Sequence, residues 1–264
     1  MRRPIFFLIL ALFAYSALAT QQMVIFGDSY SDNGNTFKAS HYTYPGQTYN
    51  LGRFSDGPTW SEYIAEKENI NPMDPMKFRN YAYGQAQILH TVSLTTHDPH
   101  SQLQWQFDVP DLSSEIDQYI EEGHIAPKKS LYYFFIGTND FLNFKPTTHS
   151  ATNDFMNQRL NALIKQITRV NQLGADHIIV FTLPNLALTP LAHQLNTHYR
   201  HNYLSTLDTM TQKFNKHLKE RLACYPNITL FDIYDFDTST THKHPVYSWY
   251  RNTYTLSNTA SPCY

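Results

Sequence analysis

The sequence predicts an α/β domain of three layers, α/β/α, with a doubly wound and mostly parallel sheet. Short, continuously apolar, β-rich runs alternate with segments of helical period along most of the chain. Strands of that kind are covered on both faces, which is the situation of parallel strands flanked by helices. The segments that immediately follow the strands are polar and carry Gly, Asn, Asp or Ser. That is the composition expected where an open parallel sheet gathers its chemistry, in the crevice beyond the carboxyl ends of the strands.

The first strand is Met23 to Phe26, followed by Gly27-Asp28-Ser29. Helical periods at Thr59 to Glu68 and Leu112 to Glu122 lead to the next strand, Leu131 to Ile136, and to Gly137-Thr138-Asn139-Asp140 after it. Phe155 to Leu173 reads as a helix, His177 to Leu183 as a strand ending in Pro184-Asn185, Tyr203 to Leu222 as a helix, and Ile228 to Ile233 as the last strand. The stretches Lys38 to Gly52, Thr91 to Gln102 and Asp235 to Tyr264 are rich in Tyr, His, Thr and Pro and are expected as loops that shape a cleft or run over the surface.

With 264 residues and 42% apolar content the chain supports one full-sized unit rather than two. There is no internal repeat and no low-complexity segment. The opening Met1-Arg2-Arg3-Pro4, the apolar Ile5 to Ala14 and the small Ala17 and Ala19 have the layout of a secretory signal cut after Ala19, so the domain is expected over 20–264 of a secreted or periplasmic protein. The apolar run falls short of the roughly 20 residues that a membrane anchor requires. Twenty Lys and Arg stand against 22 Asp and Glu, a net charge of −2; the first 19 residues hold two of the cations and no acid, which leaves −4 without them. That balance excludes nucleic acid as a partner by charge. Cys224 and Cys263 would reach an oxidising space, where they join each other or, because Cys263 is the penultimate residue, where Cys263 pairs with a segment beyond the chain.

Phe26-Gly27-Asp28-Ser29-Tyr30-Ser31-Asp32-Asn33-Gly34-Asn35 places a serine on a sharp strand-to-helix turn, at a helix amino terminus that favours developing negative charge. The residues flanking Ser29 at two positions are Gly27 and Ser31, so the Gly-x-Ser-x-Gly elbow of the α/β-hydrolases is absent. The plainer reading is that Ser29 caps the helix.

At these residues the sequence resembles the GDSL (SGNH) lipase/esterase family, and within it the branch of secreted bacterial lipases, lysophospholipases and glycerophospholipid acyltransferases. Gly27 to Asn35 is similar to the first family block, with Tyr30 where the family name has Leu. Gly52-Arg53-Phe54-Ser55-Asp56-Gly57-Pro58-Thr59-Trp60 resembles the segment that follows. Asn80-Tyr81-Ala82-Tyr83-Gly84-Gln85-Ala86 resembles the second block, with Gln85 where a second glycine is commoner, and Ile136-Gly137-Thr138-Asn139-Asp140 the third. Leu183 to Leu186, Phe214-Asn215 and Phe231 to Tyr234 fit later family positions.

The resemblance implies a five-stranded, flavodoxin-like sheet with Ser29 as nucleophile on an ester carbonyl. The backbone N–H groups of Ser29 and Gly84 and the Asn139 side-chain amide would form the oxyanion hole, where loss of one donor typically costs about 100- to 1000-fold. Standing alone, Gly84 reads as a turn glycine and Asn139-Asp140 as an Asx-turn. Asp28 and Asp32 are read as local structure. The implied partner is a lipid ester, lysophospholipid or phospholipid, and no cofactor or metal is expected.

A serine needs a base, normally a histidine oriented by an aspartate. The family takes both from a late Asp-x-x-His-Pro segment, and this sequence has no Asp-x-x-His; its one His-Pro, His244-Pro245, has Thr241 in the acid's place. The chain is therefore expected to stop short of that block and of a last helix, to be completed by a disulfide-linked piece through Cys263, or to use another base. His242, His244, His97 and His100 lie in loops and are the candidates. His193, His198 and His201 lack a partner at metal-ligand spacing and read as a solvated face. Asn227-Ile228-Thr229 has the glycosylation pattern, meaningful in a eukaryotic secretory pathway. The alternatives to lipid-ester hydrolysis are a carbohydrate O-acetyl esterase and a catalytically inactive lipid- or glycan-binding remnant.

Overall fold

The computed structural model describes residues 22–234, other than 47, 99–100, 102, 124–125, 127–128, 146–148 and 199–201, together with 246–249 and 252–255. The expected export signal, His100, His201, His242, His244 and Cys263 lie outside the described residues.

The elements begin with β1 (Met23–Gly27), α1 (Asn35–Ala39), α2 (Trp60–Lys67), β2 (Phe78–Asn80), β3 (Val92–His97), β4 (Gln104–Val109) and α3 (Leu112–Glu121). They continue with β5 (Leu131–Phe135), α4 (Thr138–Asn143), α5 (His149–Gln172), β6 (His177–Phe181), α6 (Pro190–His198), α7 (Tyr203–Leu222), β7 (Ile228–Phe231), β8 (Val246–Trp249) and β9 (Asn252–Thr255). The central sheet has five strands in the order β2-β1-β5-β6-β7, and every pairing in it is parallel. The expected doubly wound, flavodoxin-like sheet is the one observed.

Side chains alternate between the two faces of these strands. Val24, Phe26, Tyr132, Phe134, Ile178 and Val180 enter the larger core, with α3, α4, α5 and α7. Met23, Ile25 and Tyr133 face the other way, into a smaller core formed with Ala65 and Ile70, against which Ile179 and Phe181 also pack. Both faces of the strands are thus apolar, which is why their runs are continuous in sequence.

Helix α2 starts where Glu62 reaches back to the Thr59 N–H at 2.8 Å, the amino-terminal half of a capping box. Helix α3 starts at Asp111, whose carboxylate accepts the Ser114 N–H at 2.9 Å.

Several boundaries differ from the sequence reading. The Thr91 to Gln102 stretch, expected as loop, contributes β3, which pairs antiparallel with β4; its Val92, Leu94 and Thr96 are half-buried between exposed neighbours, a true period of two. The stretch Asp235 to Tyr264, also expected as loop, contains the β8–β9 hairpin. Strand β2, three residues long, was too short to give a pattern, and α5 begins at His149 rather than Phe155. From residue 235 on, where the family block was expected to be missing, only that hairpin is described.

Candidate active site

The strand order reverses between β1 and β5, because β2 lies on one side of β1 and β5, β6 and β7 lie on the other. The crevice beyond the carboxyl ends at such a switch point is where α/β sheets place ligands, and the two segments that open there are Gly27 to Asp32 and Gly137 to Asp140.

At Gly27 an added Cβ would lie 2.3 Å from the Phe135 carbonyl oxygen, so only glycine lets β1 and β5 close at their ends. The chain then makes one turn: Ser31 and Asp32 N–H donate to the Asp28 carbonyl at 2.9 and 3.0 Å. Ser29 is half-buried on this turn, and neither its hydroxyl nor its N–H has a hydrogen-bond partner among the described residues. The sequence placed Ser29 at a helix amino terminus; the helix in fact begins later, at Asn35. Its N-cap is Gly34, and the N–H groups there are taken by Asp32, whose carboxylate accepts those of Gly34 at 2.8 Å, Asn35 at 2.7 Å and Thr36 at 3.2 Å. Ser29 therefore does not cap the helix.

The second block is tied to the first. The Asn35 side chain donates to the carbonyls of Asn80 and Ala82 at 2.8 and 2.9 Å, Asn80 donates to the Ser31 carbonyl at 2.7 Å, and Tyr83 N–H donates to the Gly27 carbonyl at 3.1 Å. The Gly84 N–H, expected in the oxyanion hole, is already committed: it donates to Asp32 Oδ2 at 2.9 Å and to Thr36 Oγ1 at 2.7 Å. Glycine is needed there for packing, since a Cβ would meet the Phe54 ring at 2.1 Å. The next N–H along, that of Gln85, has no acceptor among the described residues, and Gln85 is held in the left-handed region at φ 70°. The Gly84 N–H is thus occupied by Asp32 and Thr36, and the Gln85 N–H is not.

The third block docks on the second. Asn139, buried in the first turn of α4, donates one amide hydrogen to the Ala86 carbonyl at 3.0 Å, which leaves its other amide hydrogen to offer. Asp140 accepts the Ile88 N–H at 2.8 Å and pairs with Arg159 at 3.3 Å.

Asp28, Asp32, Glu115 and Asp140 are all buried. Complete burial pushes the Asp28 carboxyl up to about 7, against the lowering effect of the Tyr30 N–H. Burial likewise raises Asp140 to about 6, with the Ile88 N–H and Arg159 opposing it, and raises Asp32. Glu115 from α3 is also fully buried and is held well above the usual carboxylate range by desolvation. Asp32 and Asp28 thus serve the local structure the sequence suggested. Glu115, Gln85 and Arg159 were missed; an acid on the apolar stripe of α3, between Leu112, Ile116 and Tyr119, was the signal for the first.

Later family positions are structural. Asn215 clamps both backbone groups of Leu183 at 2.9 Å, and Thr182 bonds Asp232 at 3.2 Å. Of the candidate bases, His97 is exposed at the end of β3, opposite Gln104, and the others lie outside the described residues. His193 is exposed on α6 and the side chain of His198 is outside the description. Among the described residues, no cluster of His, Cys, Asp and Glu is arranged to hold a metal, and no helix is long and apolar enough to cross a membrane. Cys224, exposed after α7, has no disulfide partner among the described residues.

A sequence model described as GDSL-like Lipase/Acylhydrolase matches residues 23–249. The chain is 27% identical over 232 residues to the thermolabile hemolysin of Vibrio parahaemolyticus serotype O3:K6, covering 83% of this chain and 47% of that protein. It is 28% identical over 180 residues to the phosphatidylcholine-sterol acyltransferase of Aeromonas hydrophila, covering 68% and 49%. To a GDSL esterase/lipase of Arabidopsis thaliana it is 24% identical over 219 residues, covering 76% and 60%. The chain thus spans about half the length of these curated relatives. A solved structure from the lipolytic G-D-S-L family of Veillonella parvula superposes with a TM-score of 0.49 at 16% identity, over 85% of each chain.

Proposed function

The chain belongs to the GDSL-like lipase/acylhydrolase family, and from that premise we propose that it cleaves or transfers acyl groups of phospholipids or lysophospholipids through an acyl-Ser29 intermediate. The observation that carries this is the state of Ser29: on a turn at the switch point of the sheet, with hydroxyl and N–H both uncommitted while Asp32 takes the N–H groups at the start of α1.

Ser29 Oγ attacks the ester carbonyl, and three neutral donors receive the developing alkoxide: the Ser29 N–H, the Gln85 N–H and the second amide hydrogen of Asn139. Collapse expels the alcohol and leaves Ser29 acylated; water, or the hydroxyl of another alcohol, then takes the acyl group. The base is a histidine, with His97, His100, His242 and His244 as this chain's candidates. The lipid substrate class draws on the names of the relatives, a hemolysin and a phosphatidylcholine-sterol acyltransferase. Export draws on the sequence of residues 1–19.

The test is release of fatty acid from lysophosphatidylcholine by the purified protein beside a Ser29→Ala variant. Release that vanishes in the variant supports the proposal. Release that persists in the variant, acetyl release from acetylated glycans with no action on lipid, or tight lipid binding without turnover by the folded protein overturns it.

A further inference from the structure

We propose that Glu115 is a positioning residue that fixes the nucleophile turn through the backbone of Gly27, an assignment that rests on the reading of Ser29 as nucleophile. Gly27 closes β1 two residues before Ser29, and its N–H donates to Glu115 Oε2 at 2.9 Å across 88 residues of sequence. Both residues are buried, so without that oxygen the N–H would be an orphaned donor in the interior. On its other side the Gly27 carbonyl accepts the Tyr83 N–H at 3.1 Å. The peptide groups around Gly27 are therefore held from two elements, α3 through Glu115 and the second block through Tyr83, while Phe135 closes on its Cα. Ser29 inherits its position from this clamp.

The contact needs only an acceptor oxygen at Oε2. Glu115 is fully buried, its Oε1 has no hydrogen-bond partner, and no cation is paired with it among the described residues. The titratable groups around it are Asp28, Asp32 and Asp111, with Tyr83 coupled to it, all acids. Burial, with Asp28, Asp32 and Asp111 nearby, holds the Glu115 carboxyl well above its ordinary range, and the Gly27 N–H needs only an acceptor oxygen from it. An amide does the same, so glutamine is the conservative replacement and methionine the disruptive one.

The experiment compares Glu115→Gln and Glu115→Met in the full chain, by hydrolysis of a water-soluble p-nitrophenyl ester from pH 6 to 9 and by the amide proton resonance of Gly27. Glu115→Gln is expected to hold kcat within about twofold with an unchanged pH profile. Glu115→Met is expected to lose about 100-fold in kcat with little change in KM, the cost of about 1 Å of misplacement at a catalytic group, and to move the Gly27 resonance upfield. A Glu115→Met protein with wild-type kcat and an unmoved Gly27 resonance overturns the assignment. So does Glu115→Gln losing about 100-fold in kcat against the wild type, a readout that still decides if the methionine variant does not fold. If the wild-type protein shows no Ser29-dependent turnover, the functional reading has failed, and the Gly27 resonance alone decides the clamp.

Discussion

Asn139 holds the second block with one amide hydrogen and has the other to offer an oxyanion. Asn139→Ala should lower kcat about 100- to 1000-fold with a much smaller change in KM, because the donor acts on charge that develops only in the transition state; equal loss in both parameters would point to binding instead. Asp28 makes a prediction of opposite kind. Its folded-state value is raised from 3.8 to about 7 by burial, so the native protein holds a proton that the unfolded chain releases. Stability should fall as pH rises from about 4 to about 7, at up to about 1.4 kcal/mol per pH unit for one group. Asp140 adds to the slope between about 4 and 6. Thermal melts of Asp28→Asn over this range should be flatter than those of the wild type, and an unchanged slope would remove Asp28 from the account. At this scale the positions of Ser29 and Asn139 just beyond apolar strands were legible in the sequence, while the roles expected of them came from the family resemblance. Gln85 was not, since the occupation of the Gly84 N–H by Asp32 and Thr36 is a contact between segments about 50 residues apart.

Helix α2 supports the nucleophile turn directly, its Trp60 indole N–H donating to Ser31 Oγ at 3.2 Å. Arg53 grips both oxygens of Glu62, at 2.8 and 2.6 Å, while one of the same oxygens accepts the Thr59 N–H. Burial pushes Glu62 upward, but Arg53 and Thr59 outweigh it and hold the carboxyl below its ordinary range. Arg53 precedes Phe54, whose ring lies against Gly84. Glu62→Ala should therefore cost about 2–3 kcal/mol in chemical denaturation, a lost cap together with a half-buried guanidinium left unpaired. A cost below about 0.5 kcal/mol would mean that the pair is only surface decoration. The long helices were readable from their 3.6-residue period and the central strands from their apolar runs. Strand β2 was not, having only three residues, and β3 was hidden by threonines and a histidine that are good strand formers only once β4 lies beside them.

Across the whole molecule the two faces of the sheet are unequally covered. The face bearing Phe26 and Phe134 meets α3, α5 and α7, whereas the face bearing Ile25 and Tyr133 meets α2. Phe214, fully buried with its ring 5.0 Å from Phe141, should cost about 3–5 kcal/mol as Phe214→Ala. Phe181, stacked on Phe135 at 4.7 Å but only partly buried, should cost about half of that, and equal losses in urea unfolding would contradict the asymmetry. The doubly wound parallel sheet followed from alternation of strands and helices and its five-stranded, flavodoxin-like form from the family resemblance; the short edge and the hairpins depended on pairings between distant segments. The central claim is that Ser29 is the nucleophile, and mapping the site of fluorophosphonate labelling in the folded protein by mass spectrometry tests it most directly. The account predicts a single adduct on Ser29, formed much more slowly in Asn139→Ala; an adduct on any other residue, or none, would contradict it.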